Sequence, residues 1–239
     1  MTDPISVYIG FDPRDDLAYR VCVDSLKKHS TANIQIKPLK EWELRKQRLF
    51  WRSYSVLSSD EGGLQMVDHR DGRPFSTQFA FTRFLVPALE NFDSEWAVFM
   101  DPDFMWRSDI EELLEHCRQS PDKALHCVKH NHKPDEAVKM DGVSQGIYHR
   151  KNWSSLYVCK PWKCKPYMQP YHVNNMTGAN LHAFTGFTDE EIGAIDESWN
   201  WLEGWSSTEI NPDAVHFTRG TPDMIGSCAY DKEWWGYAK

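Results

Sequence analysis

Two aspartates separated by a proline, Asp101-Pro102-Asp103, close the apolar run Trp96-Ala97-Val98-Phe99-Met100. Consecutive apolar residues with β-branched and aromatic members predict a buried strand ended by a turn. The residue before a proline is held in the extended region, where side chains at i and i+2 leave the same face. Asp101 and Asp103 are therefore expected to point together. Adjacent carboxylates repel unless a positive charge lies between them, and a hard divalent cation held by oxygens meets that need. An Asp-x-Asp pair is common in solvated loops, so the strand immediately before it gives this one its weight.

The elements that must position this pair read as an α/β alternation. Ser6-Val7-Tyr8-Ile9-Gly10-Phe11 predicts a first strand ending at the Asp12-Pro13 turn signal. A helix from about Asp15 follows, with Ala18, Val21, Cys22, Ser25 and Leu26 on one face and Lys27, Lys28 and His29 at the negative end of its dipole. Ile34 to Leu39 alternates as a second strand, and Glu41 to about Arg48 reads as a short helix. Residues 49 to 75 are polar and glycine-bearing and read as a long loop, a length often reserved for lids. Thr77 to Glu90 reads as a helix with Phe81, Phe84, Leu85, Ala88 and Leu89 inward and Pro87 able to end it early. Arg83 lies on that apolar element; if buried it needs an anion, with Asp101, Asp103 or a phosphate as candidates.

Ser108-Asp109-Ile110-Glu111 is a capping pattern for a helix running to about Gln119. Lys123 to Lys129 predicts a strand, residues 133 to 155 a second long loop, and Leu156 to Cys159 a short strand. Asn174-Asn175-Met176-Thr177-Gly178 leads into a helix through Leu181, His182 and Phe184, and Thr188 to Glu191 is expected to cap a shorter helix. Ala214 to Thr218 reads as a strand leaving into a glycine turn at Gly220. His126, Cys127, His130 and His132 include no Cys-x-x-Cys pair and straddle a strand end, so zinc is not favoured.

Composition bounds the partners. The chain has 239 residues and a net charge of −8, which fits one domain acting on small substrates and argues against a nucleic-acid ligand. There is no charged-then-apolar leader and no apolar run near the ~18 residues of a membrane span, so a cytoplasmic protein with no transmembrane segment is expected. Six scattered cysteines are then expected to be reduced thiols. Eleven tryptophans, many in the second half, would suit a sugar site as well as a core.

The first strand, Thr82-Arg83-Phe84-Leu85-Val86-Pro87, Phe99-Met100-Asp101-Pro102-Asp103 and His216-Phe217-x-x-Gly220 occur in that order. This combination, spread over about residues 5 to 222, resembles glycosyltransferase family 8 and its retaining GT-A relatives, including glycogenin and bacterial galactosyltransferases. The resemblance implies a GT-A-type, Rossmann-like, mostly parallel sheet flanked by helices, with a mixed acceptor-side lobe. It implies one domain, with residues 1–110 as the nucleotide-binding half and 111–239 as the sugar and acceptor half. It also implies a metal-dependent hexosyltransferase using a nucleotide-diphosphate sugar, UDP-linked, with a glycan or small-molecule acceptor.

Carried over by position, Asp101, Asp103 and His216 would hold Mn²⁺, or Mg²⁺ less well. Ile9, Gly10, Phe11 and Asp12 would cradle the uracil and ribose, and Arg83 would face the acids or the donor. Asn152 and Ser154 would lie beside the donor sugar, and Asn174 and Asn175 near the reacting carbon. Asp141 would sit in a loop closing over the donor. Family members commonly carry Lys-Pro-Trp after the late glycine, where this chain has Thr221-Pro222-Asp223. Arg219, beside Gly220, or a residue of another loop would then supply the lysine's charge. The competing readings are a sugar-nucleotide pyrophosphorylase, for which Gly10 to Arg14 makes a poor phosphate loop, and a non-catalytic carbohydrate-binding protein, which would not need the converging acids.

Overall fold

Alternate side chains of three strands enter two different cores. Val7, Ile9, Val98, Met100, Leu156 and Val158 face one, and Tyr8, Phe99, Tyr157 and Cys159 the other. A sheet buried on both faces needs cover on both sides, which is the α/β layering expected.

The computed structural model describes residues 3–58, 64–130 and 150–238. β1 (Ile5–Phe11) passes through a 3-10 turn (Pro13–Asp15) into α1 (Asp16–His29), and β2 (Ile34–Lys40) runs into α2 (Glu41–Lys46). β3 (Tyr54–Ser58), β4 (Leu64–Asp68) and β5 (Pro74–Phe75) follow. α3 (Phe79–Thr82), a 3-10 turn (Arg83–Leu85) and α4 (Val86–Leu89) precede β6 (Ala97–Met100), β7 (Phe104–Trp106) and α5 (Ile110–Arg118). Then come β8 (Leu125–Val128), β9 (Leu156–Cys159), α6 (Pro161–Cys164), α7 (Pro170–Asn175) and α8 (Gly178–His182). β10 (Ile192–Ile195), β11 (Trp201–Leu202), β12 (Ala214–His216), α9 (Pro222–Ile225) and α10 (Asp231–Tyr237) complete the chain.

Among the described residues the main sheet has the order β10-β8-β9-β6-β1-β2, parallel except for β9, which is antiparallel to both neighbours. A second sheet, β11-β12-β7, places β7 antiparallel to β12. The helix predicted after β1 buries the five residues assigned to its inner face.

Three expectations need correction. Residues 49 to 75 are not a bare loop: β3, β4 and β5 form an antiparallel sheet. Val56 and Leu57 are exposed there, so no clean alternation marks the strands, and a buried Arg52–Asp68 ion pair at 2.5 Å ties the sheet down instead. The helix over 77 to 90 breaks into α3, a 3-10 turn and α4. Pro87 has no N–H for the Arg83 carbonyl, which accepts instead from the Tyr157 hydroxyl at 2.6 Å and from the Val86 amide. Thr188 and Glu191 do exchange the capping hydrogen bonds, at 2.9 and 3.3 Å, but the turn feeds β10 rather than a helix. No expectation attaches to β7 or β11, which are too short to carry a period of their own.

Gly10 faces the ring of Phe79, where an added Cβ would lie 2.6 Å from Cγ. Gly10→Ala is expected to destabilise by about 1–3 kcal/mol through overpacking, relieved by a smaller residue at 79. Equal urea midpoints for wild type and variant would contradict this.

His126 is buried in β8 against Trp96 and over Gly193, and among the described residues neither ring nitrogen has a hydrogen-bond partner. Burial, reinforced by the positive charges of His116 and Lys160, lowers its pKa to about 4. The unfolded chain takes up this proton first, near 6.5, so the stability it supports is present above about 6.5 and lost as pH falls towards 4. The loss should reach roughly 2–3 kcal/mol, and His126→Leu should remove that part of the acid sensitivity. Parallel stability–pH curves for the two proteins would rule it out. His132, from the same stretch, lies outside the described residues.

Candidate metal centre and donor site

The acid pair sits at the carboxyl end of β6, where the chain crosses from the main sheet into the second. The Asp101 amide donates to Ser155 O at 2.8 Å, and Phe217 N donates to Asp103 O at 3.0 Å. The β7–β12 register pairs His216 with Phe104, the residue after Asp103. One ligand atom from each of Asp101, Asp103 and His216 lies within 4.8 Å of the others. Two strands 110 residues apart in sequence thus bring the three predicted ligands to one point.

Arg83 is buried behind them. Its Nη1 lies 2.9 Å from Asp101 Oδ1 and donates to Asp101 Oδ2 at 3.2 Å and to Ser154 O at 3.0 Å. Its guanidinium also packs near the rings of Phe79 and Phe99. Burial pushes Asp101 up to about 6, Arg83 pulls it down and the charge of Asp103 adds to the rise. Asp15, on the turn after β1, is likewise pushed up to about 6 by burial and then by Asp12 and Asp103. Acids from the ends of β1 and β6 therefore repel across one volume, a stress that a divalent cation relieves. Two carboxylates and an imidazole suit such an ion.

The imidazole is held in a fixed position. His216 stacks on Phe104 with ring centroids 4.4 Å apart, its Nδ1 is 2.8 Å from Asn200 Oδ1, and its Nε2 is 3.3 Å from Asp103 Oδ1. Neither Asn200 nor Asp15 carried a signal in the sequence, Asn200 lying 16 residues before its histidine in an unremarkable Trp-Asn-Trp.

The residues expected around the donor divide. Phe11 is half-buried and meets Tyr19 and Trp42 edge-on at 5.2 and 5.7 Å, with Lys40 Nζ 5.5 Å from the Trp42 ring centre. These form a partly exposed platform at the ends of β1 and β2. Ile9, by contrast, points into the core, and Gly10 is explained by Phe79. Asp12 is buried and engaged on both oxygens, by Arg14 Nη2 at 2.6 Å and by the Arg14 and Gln78 amides at 3.1 Å. Burial would raise its pKa, but these hydrogen bonds hold it below the ordinary carboxylate range.

Ser154 Oγ pairs with His182 Nδ1 at 2.8 Å, beside Arg83. Asn152 has a left-handed backbone, φ 65°, and its carbonyl accepts from Ser155 Oγ at 2.8 Å. Asn174 is a correction. Its side-chain oxygen takes the Trp51 and Arg52 amides and its nitrogen serves Leu49 O and Pro170 O, which leaves it clamping α7 to the chain before β3. Asn175 is more open, bonded to Tyr171 O and Arg70. Arg219 is paired with Glu203, itself buried, which holds its guanidinium at 2.8–3.0 Å. Gly220 takes φ 123°, and a Cβ there would lie 2.8 Å from Ile225, so the turn itself requires glycine. Asp141 lies outside the described residues.

Protein CDI of Arabidopsis thaliana is 41% identical over 241 residues, covering 97% of this chain and 85% of that protein. The chain belongs to the Protein CDI family. No protein-family model matches it. The fold of this family member is that of the GT-A glycosyltransferases. Galactosyltransferase LgtC, solved with donor and acceptor sugar analogs, aligns with TM-score 0.58 at 9% identity over 98% of this chain and 95% of its own. Glycosyltransferase GlyE of Streptococcus pneumoniae TIGR4 aligns with TM-score 0.58 at 12% identity over 99% of this chain. The chain spans 60% of the length of GlyE. Among the described residues no helix is long and apolar enough to cross a membrane.

Proposed function

We propose that the protein is a metal-dependent glycosyltransferase that takes a sugar from a UDP-linked donor and passes it, with retention, to a glycan or small-molecule acceptor. The observation that carries this reading is the convergence of Asp101, Asp103 and His216 at the carboxyl end of a GT-A sheet. Asp101, Asp103 and His216 would hold the ion, Mn²⁺ by the chemistry of the set. A divalent cation there stabilises the charge that develops on a departing diphosphate.

The chain's own residues supply the rest. Arg83 keeps Asp101 in place from behind and fixes the Ser154 carbonyl beside it. Phe11 and Trp42 offer flat apolar surface for a base, with Lys40 at their edge. The nucleotide then lies on the half up to about residue 110, and the sugar and acceptor on the half beyond it. Tyr171, exposed next to Asn175, gives the acceptor side a ring of the kind sugars stack on, and Trp51, from the first half, is exposed beside Asn174 at the same edge. Arg219, held by Glu203, would be the cation nearest Gly220 for a donor phosphate, beside an ion held by the Asp101, Asp103 and His216 set.

The test is release of nucleoside diphosphate from a panel of UDP- and GDP-sugars, with and without Mn²⁺. Metal-dependent release from a UDP-sugar is expected. Metal-independent glycan binding without any nucleotide turnover would replace this reading with the carbohydrate-binding one.

A further inference from the structure

Two buried side chains, Ser155 and Asn200, link His216 to the backbone carbonyl of Asn152 on another element. Asn152 O accepts from Ser155 Oγ at 2.8 Å, Asn200 Nδ2 donates to Ser155 Oγ at 2.9 Å, and His216 Nδ1 lies 2.8 Å from Asn200 Oδ1. Asn200 is fully buried and Ser155 and His216 nearly so, which leaves water no easy substitute for any link.

The direction of each proton follows from the first acceptor. A carbonyl oxygen can only accept, so the Ser155 hydroxyl proton goes to Asn152. Ser155 Oγ is then the acceptor for Asn200, whose nitrogen must face it. The Asn200 oxygen is turned to His216, and Nδ1 must carry the proton. In the neutral ring Nε2 is left with its lone pair, facing Asp103 Oδ1 at 3.3 Å. Reversing Asn200 would set its oxygen against an oxygen whose proton is already engaged. Two electron-rich atoms at that separation are the arrangement a cation between them stabilises.

We propose that Ser155 and Asn200 are positioning residues that lock His216 in the tautomer able to ligate through Nε2, although neither side chain belongs to the ligand set. This rests on the metal-dependent reading above. It also gives the loop carrying Asn152 and Ser154 a part in the metal centre. The ring orientation comes from Phe104 and the protonation state of each ring nitrogen from the relay.

The experiment has two readouts. In metal-free ¹⁵N-labelled protein, long-range ¹H–¹⁵N correlation should show the neutral His216 ring protonated at Nδ1 and bare at Nε2. Mn²⁺ affinity is followed in parallel from the electron paramagnetic resonance signal of the free ion. Ser155→Ala frees Asn200 to turn over, so His216 should move towards the Nε2–H form and Mn²⁺ should bind about 10–100-fold more weakly. Ser155→Thr, which keeps the hydroxyl, should restore both.

A wild-type His216 already protonated at Nε2 would overturn the relay, whatever the variants do. So would Ser155→Ala with tautomer and affinity both unchanged. If the tautomer moves as expected but the wild-type protein binds no Mn²⁺, the relay stands and the metal-dependent reading falls.

Discussion

Asp103→Ala is expected to lower metal-dependent donor turnover by about 10³-fold without lowering stability. Removing one of two carboxylate ligands removes several kcal/mol of charge stabilisation in the transition state, and about 4 kcal/mol corresponds to that factor. The fold should not notice. The hydrogen bond that Asp103 makes to Phe217 N uses its backbone carbonyl, which alanine keeps. Deleting the side-chain charge also relieves the repulsion felt by Asp101 and Asp15, so the thermal midpoint should stay level or rise. A folded variant with wild-type turnover, or one that fails only because it unfolds, would contradict the account.

The second large effect is on stability. Arg83→Met should cost about 3–5 kcal/mol, because it leaves Asp101 as a buried carboxylate without its counter-charge. The Ser154 carbonyl loses its partner as well. In an Asp101→Asn background the same substitution should cost much less, since no charge is stranded. Urea denaturation of the four proteins gives the coupling directly. Additive losses would mean that Arg83 acts through its packing between Phe79 and Phe99 rather than through the ion pair.

How much of this was legible in the sequence depends on the range over which each residue acts. α1 was readable because Ala18, Val21, Cys22, Ser25 and Leu26 repeat at helical spacing on a single element. Asp101 and Asp103 were readable because a proline and a preceding strand dictate their direction locally. The Arg83–Asp101 pair was readable only as a choice among anions, since nothing local distinguishes a buried arginine from an exposed one.

What escaped is long-range or cryptic. β7 is three residues long and exists because it pairs across the chain with β12, the strand expected from Ala214. The Thr188–Glu191 capping signal was real, yet the apolar run after it was taken by β8 as a parallel neighbour. Asn174 looks like a site residue by position, but Trp51, Arg52, Leu49 and Pro170 claim it. Asn200 is the converse case, an ordinary asparagine in sequence that becomes informative only once His216 and Ser155 stand on either side of it.

The central claim is that Asp101, Asp103 and His216 form a metal site that holds a nucleotide-diphosphate sugar. Calorimetric titration of UDP into the protein, with and without Mn²⁺, tests it most directly, with Asp101→Ala as the control. The account predicts binding that requires the ion and disappears in Asp101→Ala. UDP binding that is indifferent to both the ion and Asp101, or no binding under either condition, would contradict it.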